Sequence, residues 1–227
     1  MFTGITRGLF PVLSIKQRNG ILSYIVELHE NLMHDLNIGD SVAIDGVCQT
    51  ISAIEDNRVQ FDAIDETLIK TTLSELKLGQ KVSVERAARI GDTLGGHELS
   101  GHILETGLII DKQETGDNLT LLIQCSQTCM QFIVTKGFIA LDGSSLTVGQ
   151  VDKAKQRFCV HLIPFTRSIT NFDSKHCSDR VNIEVDMKTK IIVEQLNEQL
   201  TAIYHRIDQL EIKLAELLAQ DREKETL

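Results

Sequence analysis

An internal repeat constrains the fold of this chain more than any other feature of its sequence. Residues 42–51, VAIDGVCQTI, match residues 139–148, IALDGSSLTV, at an offset of 97 positions. Gly4 matches Gly101 at the same offset. A period this long lies far beyond the repeat lengths of solenoid proteins. The repeat therefore predicts two similar domains in tandem, each near the small end of the size range for independent domains.

Both copies have the sequence pattern of a small all-β domain. Short segments with alternating apolar residues, such as 181–185, are separated by turns rich in Gly, Asp and Asn. Many short strands at this spacing indicate a closed barrel, which leaves no exposed strand edge. We predict one barrel in residues 1–96 and a second in residues 97–189. Residues 28–36 and 126–135 are predicted to form one short helix in each copy.

The pattern changes to a period of seven after Asp186, and residues 190–227 are predicted to form a long C-terminal helix. An unbroken apolar seam of this period is typical of a coiled coil, and isoleucine at both core positions favours three strands. The alternative, an amphipathic helix packed on its own barrel, requires a broader apolar stripe. One heptad position is filled by Val193, Leu200, Ile207 and Leu214, and the other by Leu196, Ile203, Leu210 and Leu217.

Composition and charge exclude several classes of protein. The net charge is −9, and no local cluster of basic residues stands against it, so we expect no nucleic-acid partner. No apolar run approaches the roughly 20 residues of a membrane-spanning helix, and the N-terminus does not resemble a signal peptide. The five cysteines are an odd number without Cys-x-x-Cys spacing, which favours reduced thiols. We therefore expect a cytoplasmic protein with no membrane association.

Two places in the sequence carry side chains that are suited to chemistry. Cys48 and Ser145 occupy equivalent positions of the repeat, and each is followed two residues later by a threonine. A thiol and a hydroxyl are both potential nucleophiles, although a buried cysteine more often serves as a small apolar residue. His97 and His102 lie at the junction of the copies, but their spacing of five does not place them on one helix face as in zinc proteases.

These elements resemble the riboflavin synthase family, of the alpha-chain type, in an order that extends from residue 1 to about residue 186. The resemblance depends on many short motifs rather than on any one of them. They are MFTGI at 1–5, DGVC with Thr50 at 45–50, FD at 61–62 with ETL at 66–68, ERA at 85–87, GGH at 95–97, SGH at 100–102, KGFI at 136–139, DG at 142–143 with SLT at 145–147, HLIP at 161–164 and VNIE at 181–184.

The resemblance implies two six-stranded Greek-key barrels, each of which binds one lumazine, and a C-terminal helix that assembles a homotrimer. It implies the dismutation of two molecules of 6,7-dimethyl-8-ribityllumazine, in which a four-carbon unit passes from one to the other. The products are riboflavin and 5-amino-6-(D-ribitylamino)uracil. The small-molecule partners are thus the lumazine and riboflavin, and we expect no cofactor and no metal.

The resemblance also implies the residues of both pockets. Cys48, His102, Ser145 and Thr147 are the candidates for nucleophilic or acid–base roles. The first pocket takes Gly4, Ile5, Thr6, Ser41, Cys48, Gln49, Thr50, Asp62, Ala63, Ile64, Asp65, Glu66 and Thr67, with Gly101, His102 and Ile103 at the junction. The second pocket takes Lys136, Ser145, Leu146, Thr147, Ile163, Pro164, Phe165, Thr166, Arg167 and Ser168.

The second pocket departs from the family pattern at three positions. Phe165 replaces a polar residue that would face the ribityl chain, Arg167 replaces a leucine, and Ser168 replaces an acid. Glu66 is retained in the first pocket. The second barrel therefore either binds lumazine more weakly, or Phe165 points elsewhere and Arg167 contacts the hydroxyls. A non-catalytic lumazine- or flavin-binding protein of the same fold is the alternative function.

Overall fold

The computed structural model describes residues 1–225, with side chains as far as Lys213. Its strands fall into two groups of six, one in each copy of the repeat. The first group is β1 (Leu9–Arg18), β2 (Ile21–Glu27), β3 (Ser41–Ile44), β4 (Val47–Glu55), β5 (Arg58–Ile64) and β6 (Lys81–Arg86). The second group is β7 (Glu105–Thr115), β8 (Asn118–Gln124), β9 (Phe138–Leu141), β10 (Ser144–Asp152), β11 (Arg157–Leu162) and β12 (Arg180–Val185).

Each group closes into an antiparallel barrel with the same strand order. The first barrel runs β1-β2-β5-β4-β3-β6, and the second, read in the same sense, runs β7-β8-β11-β10-β9-β12. In both, the third and fifth strands have exchanged places relative to a simple meander, which is a Greek-key connection. The predicted fold class, mainly β with two six-stranded barrels and a C-terminal helix, is therefore confirmed.

Four short helices connect the strands, and one long helix follows the second barrel. They are α1 (Glu30–Met33), α2 (Asp65–Lys70), α3 (Gln127–Met130), α4 (Pro164–Ile169) and α5 (Met187–Glu225), with 3₁₀ turns at Thr72–Glu75 and Asn171–Ser174. The short helices expected within 28–36 and 126–135 are present, but each is a single turn. The sequence analysis did not predict α2 and α4, because six residues are too few to show a helical period.

Residues on the predicted seam of α5 lie exposed along the helix. Leu196, Leu200 and Ile203 are 53%, 46% and 53% exposed, and Ile207 and Leu210 are similar. The side chains of Leu214 and Leu217 lie outside the described residues. Among the described helices, none is both long and apolar enough to cross a membrane.

Two tight turns, one from each barrel, meet at the interface between the copies. Asp45 and Gly46 both have positive φ, as do Asp142 and Gly143, which is the geometry of type I′ hairpin turns. The turns are in backbone contact, because a Cβ atom added to Gly46 would lie only 2.4 Å from the Gly143 nitrogen. Only glycine fits at these two places, so the repeated Asp-Gly pair joins the barrels.

The carboxylates of these turns are fully buried and are bridged by one amide. Asn171 donates from Nδ2 to Asp45 Oδ1 at 2.9 Å and to Asp142 Oδ2 at 3.1 Å. The backbone N–H of Ser83 donates to Asp45 Oδ1 at 2.7 Å, and that of Asn182 donates to Asp142 Oδ1 at 2.7 Å. The two barrels therefore share a hydrogen-bond network that uses equivalent residues from both copies.

One cation neutralises only part of the charge in this network. Lys175 Nζ lies 3.0 Å from Asp142 Oδ2, and the Asp142 side chain is completely buried. Burial and the charge of Asp142 together raise the pKa of Asp45 to about 8. Asp45 is accordingly mostly protonated at neutral pH. Lys175 is then left to pair with Asp142.

Asp45→Asn is expected to flatten the pH dependence of stability. In the unfolded chain the Asp45 carboxyl has a pKa of 3.8 and releases its proton, whereas in the folded protein it keeps the proton up to a pH of about 8. The contribution of Asp45 to the free energy of unfolding therefore falls as the pH rises from 3.8 to about 8. The slope reaches at most about 1.4 kcal/mol per pH unit for one proton. Asparagine mimics the protonated acid and tolerates positive φ. Urea unfolding across this pH range measures the effect.

Asp56→Asn is the matched control, because Asp56 also has positive φ in a turn but is exposed. It should leave the slope unchanged. If Asp45→Asn retains the wild-type slope as well, the proton is not held by Asp45.

Candidate functional site

The candidate catalytic side chains of the strands lie on the outer faces of β4 and β10. Along β4, Val47, Gln49 and Ile51 point into the first barrel, whereas Cys48 and Thr50 point outwards. Ser41 is paired with Thr50 across the sheet and shares its face. We call the outward-facing set Ser41, Cys48, Thr50 and Asp62 the Cys48 face.

The second barrel repeats this arrangement with different chemistry. On β10, Ser145 and Thr147 point outwards between the buried side chains of Ser144, Leu146 and Val148. Exposed Lys136, Phe138 and His161 border them. We call the set Lys136, Ser145, Thr147 and His161 the Ser145 face.

Each face is covered on one side by a glycine from the other copy of the repeat. Gly101 lies against Cys48, whose N–H donates to the Gly101 carbonyl at 2.9 Å. Gly4 lies against Ser145 in the same way, with a distance of 2.8 Å from Ser145 N to Gly4 O. Both glycines have positive φ, and an added Cβ would lie 2.6 Å from Cys48 Cβ or 2.5 Å from Ser145 Cβ.

Two buried glutamates hold these glycine segments in place. Glu85 accepts from Thr3 N, Thr3 Oγ1 and Gly4 N at 2.6, 2.7 and 3.0 Å. Glu184 accepts from Ser100 N and Oγ, both at 2.7 Å, and from Gly101 N at 3.0 Å. Burial raises the pKa of both carboxyls, although these hydrogen bonds act in the opposite direction.

His97, which lies at the junction of the copies and is absent from both predicted pockets, contacts the Ser145 face directly. Its Nδ1 lies 2.7 Å from Ser145 Oγ, and its ring stacks on Phe138 with centroids 5.0 Å apart. Burial lowers the pKa of His97, while the charge of Asp186 acts to raise it. A neutral imidazole bonded to a hydroxyl is suited to accept or relay its proton. Gly96 permits this contact, since an added Cβ would lie 2.6 Å from Ser145 Cβ.

His102 adjoins the Cys48 face through Gly101 and has a different environment from His97. It follows Gly101 directly, it is exposed, and its N–H donates to Ser100 Oγ at 3.2 Å. Its counterpart in the repeat is Ile5. The faces are therefore unequal: the Cys48 face adjoins the segment that carries an exposed imidazole, whereas the Ser145 face has a hydroxyl bonded to a buried imidazole.

Several predicted pocket residues do not direct their side chains to these faces. Gln49, Ala63 and Leu146 point into the barrels and are 5%, 1% and 6% exposed, so only their backbone is available to a ligand on the outer surface. Thr6 is buried against Ser144, with 3.1 Å between the hydroxyls. Ile103 packs on the core of the first barrel.

Helices α2 and α4 carry the remaining predicted residues. Glu66 is exposed and pairs with Lys70 at 3.0 Å, and Phe165 is 66% exposed. Arg167 bonds Asp173 at 2.8 Å and lies 3.5 Å from Glu114, so its guanidinium is already engaged within the protein. That geometry disfavours the alternative in which Arg167 contacts ribityl hydroxyls. The other predicted residues of these segments are Ile64, Asp65, Thr67, Ile163, Pro164, Thr166 and Ser168, of which Ile64 and Ile163 are 55% and 59% exposed.

Asp62 of the Cys48 face and His161 of the Ser145 face occupy equivalent positions, and His161 is absent from the pocket predicted from the sequence. Asp62 accepts a 2.5 Å hydrogen bond from Ser23, and His161 Nδ1 lies 2.9 Å from Thr120 Oγ1. Partial burial acts to raise the pKa of Asp62, but hydrogen bonds from neighbouring side chains lower it. A cavity of about 720 Å³ extends from His161 along the flank of the second barrel. Alignment of the two copies at Asp62 is the signal that identifies His161.

Gly101→Ala is expected to destabilise the protein and to displace Cys48. The positive φ alone costs about 1–2 kcal/mol for alanine, and the collision with Cys48 adds to it, for a total above about 2 kcal/mol. Gly39→Ala is the matched control, because Gly39 has φ +92° but nothing within 4 Å of an added Cβ. Thermal and urea unfolding of both variants separate the two costs. Equal losses would show that the contact with Cys48 is not tight.

Comparison with known proteins agrees with this architecture. The lumazine-binding domain family matches twice, over residues 3–87 and 100–186. Riboflavin synthase of Escherichia coli K12 is 42% identical over 211 residues, which is 92% of this chain and 98% of the relative. Riboflavin synthase of Chlamydia pneumoniae is 39% identical over 89% of this chain and 98% of the relative.

Solved structures share the fold at lower sequence identity. The crystal structure of LumP complexed with riboflavin superposes with a TM-score of 0.76 and 22% identity, covering 82% of this chain and all of LumP. LumP complexed with 6,7-dimethyl-8-(1'-D-ribityl) lumazine gives a TM-score of 0.74 over the same share of this chain and 99% of LumP. These likenesses concern the fold alone.

Proposed function

This chain belongs to the riboflavin synthase family of lumazine-binding proteins, and we propose that it catalyses the dismutation of two 6,7-dimethyl-8-ribityllumazine molecules to riboflavin and 5-amino-6-(D-ribitylamino)uracil. The observation that carries the proposal is the pair of equivalent faces, each equipped for chemistry, at the same place in both barrels. Two molecules of one substrate require two similar binding sites. A four-carbon unit that leaves one lumazine is accepted by the other, so no external redox partner enters the balance.

Some residues of the two faces transfer protons, and others orient the substrate. At the Ser145 face, neutral His97 accepts a hydrogen bond from Ser145 Oγ or donates one to it, which makes this pair the candidate proton relay. At the Cys48 face, the thiol and the exposed His102 are the candidate nucleophile and acid–base group. Thr50 and Thr147 offer hydroxyls for orientation. Holding both rings in place supplies the entropic part of the rate enhancement.

The pockets are proposed to lie between two subunits. Both faces are open in a single chain, and exposed apolar side chains border them, including Ile64, Phe138, Ile163 and Phe165. Exposed apolar groups beside polar sites are typical of surfaces that a partner covers. A second copy that brings its Ser145 face against the Cys48 face would place two lumazines in contact.

The exposed seam of α5 supports a homotrimer as the assembly. Isoleucine occurs at both of its core heptad positions, as Ile203 and Ile207, which favours three parallel strands. We assign residues 1–96 and 97–189 to the two lumazine-binding domains and residues 190–227 to trimerisation. A cytoplasmic location remains a prediction.

The alternative function is passive binding of lumazine or flavin on the same fold. LumP shares the barrels, and its structures contain riboflavin or the lumazine. Retention of Cys48, His97 and His102, together with 42% identity to the Escherichia coli synthase, favours the enzyme.

Purified protein is expected to convert dimethylribityllumazine to riboflavin without an added redox cofactor, as followed by absorbance. Cys48→Ala should lower kcat by about tenfold or more. The loss should stay below the roughly 100-fold that a proton-transfer group often contributes, because Thr50 and His102 remain. Cys177→Ala is the matched control, since Cys177 is an exposed thiol outside both faces. Protein that binds the lumazine tightly yet forms no riboflavin would establish the passive carrier instead.

A further inference from the structure

A cluster of two thiols and one carboxylate lies at one end of the second barrel, apart from the residues assigned to the two faces. Glu105 begins β7, Cys125 directly follows β8, and Cys129 belongs to α3. One carboxylate oxygen of Glu105 and the two Sγ atoms all lie within 4.8 Å of one another. Both cysteines are buried and free, and Glu105 is half-buried. The donor set is the kind that thiophilic metal ions use.

We propose that Glu105, Cys125 and Cys129 bind a zinc ion, with the fourth coordination position open to solvent. Zinc takes thiolates at about 2.3 Å and carboxylate oxygens at about 2.0–2.2 Å, so neighbouring ligand atoms stand roughly 3.5–4 Å apart in a tetrahedron. The three ligand atoms already lie within 4.8 Å of one another, so small rotations of the side chains bring them to this geometry. Because Glu105 is half-buried, solvent reaches that side of the site, and we expect a water molecule as the fourth ligand.

Ser126 positions the proposed ligands through hydrogen bonds. Its N–H donates to Glu105 Oε1 at 2.7 Å, and its hydroxyl donates to the other oxygen of the same carboxylate. The Ser126 hydroxyl also accepts from the Cys129 N–H at 3.0 Å. A carboxylate has further lone pairs for a metal. Hydrogen bonds of this kind orient metal ligands and strengthen metal binding.

The charges at the site favour a divalent ion. Two thiolates and one carboxylate carry three negative charges, so zinc leaves a single negative charge on the cluster. Lys153 lies beside the thiols and donates from Nζ to the Met130 carbonyl, and its ammonium balances that remaining charge. A monovalent ion leaves an uncompensated negative charge in a partly buried place, which is costly.

The equivalent end of the first barrel shows which side chains are sufficient for packing there. Helices α1 and α3 are equivalent, and the same offset places Leu28 at the position of Cys125 and Leu32 at that of Cys129. Both leucines are buried, at 0% and 6% exposed. The residue equivalent to the glutamate is Gly8. Apolar side chains therefore suffice at this end of a barrel, and the two thiols with a carboxylate have no counterpart in the packing of the first copy.

The test is titration of the chelator-treated, reduced full-length protein with Co²⁺, a spectroscopic probe for zinc sites. We expect one tightly bound Co²⁺ per chain, with tetrahedral d–d absorption and a thiolate-to-cobalt charge-transfer band, both abolished by added Zn²⁺. Cys125→Leu, which copies the first barrel, and the smaller change Cys125→Ser should each remove the charge-transfer band or halve it. Loss of an outer hydrogen-bond partner already lowers metal affinity about 10–100-fold, so Glu105→Gln should weaken binding by at least that factor.

Cys177→Ser is the matched control, because it removes an exposed thiol outside the cluster and should leave the spectrum unchanged. Absence of a thiolate–cobalt band in the wild-type protein would overturn the proposal. So would a band of full intensity in both Cys125 variants, or thiol counting that shows Cys125 and Cys129 joined in a disulfide before any reductant is added. None of these readouts depends on the synthase reaction, so they separate the metal site from the proposed function.

Discussion

The contact between the Asp45–Gly46 and Asp142–Gly143 turns is the constraint on which the arrangement of the two barrels depends. The turns approach so closely that neither glycine can carry a side chain. Their carboxylates share one amide, from Asn171, inside a fully buried network. Two buried aspartates are stable side by side only if one is protonated or if each is paired with a cation. Here a single lysine, Lys175, lies beside the pair. The interface between barrels is thus specific as well as buried.

This constraint also determines what faces the solvent on each barrel. Because the hairpins that contain the turns continue into β4 and β10, alternation along these strands places Cys48 and Ser145 outwards at equivalent positions. The glycine segments around Gly4 and Gly101 then cover one side of each face, held by Glu85 and Glu184. The symmetry ends at the side chains, since His97 bonds Ser145 whereas His102, which follows the Gly101 that contacts Cys48, is exposed. Two similar sites with different chemistry suit a reaction in which one substrate donates and the other accepts.

The sequence predicts the features that depend on pattern and misses those that depend on distant contacts. Repetition and alternation predict two barrels, and the heptads predict the helix after Asp186, because these signals are local and periodic. The bond between His97 and Ser145 joins residues 48 positions apart and depends on the bare Cα of Gly96, so no periodic signal reveals it. The cluster of Glu105 with two cysteines was missed for the same reason, and the sequence analysis expected no metal. The boundaries of the domains and the roles of the site residues stay predictions.

Formation of riboflavin between the Cys48 face of one subunit and the Ser145 face of another can be tested by mixing two inactive variants. Thr50→Arg and Thr147→Arg each block one face at an exposed, equivalent strand position. The two variants, carrying different affinity tags, are co-expressed, and the mixed oligomers are isolated and assayed for riboflavin. If riboflavin forms between subunits, each variant alone is inactive. Mixed oligomers then regain a substantial fraction of wild-type activity, because some subunit pairs join two intact faces. Mixed oligomers as inactive as their parents would contradict it.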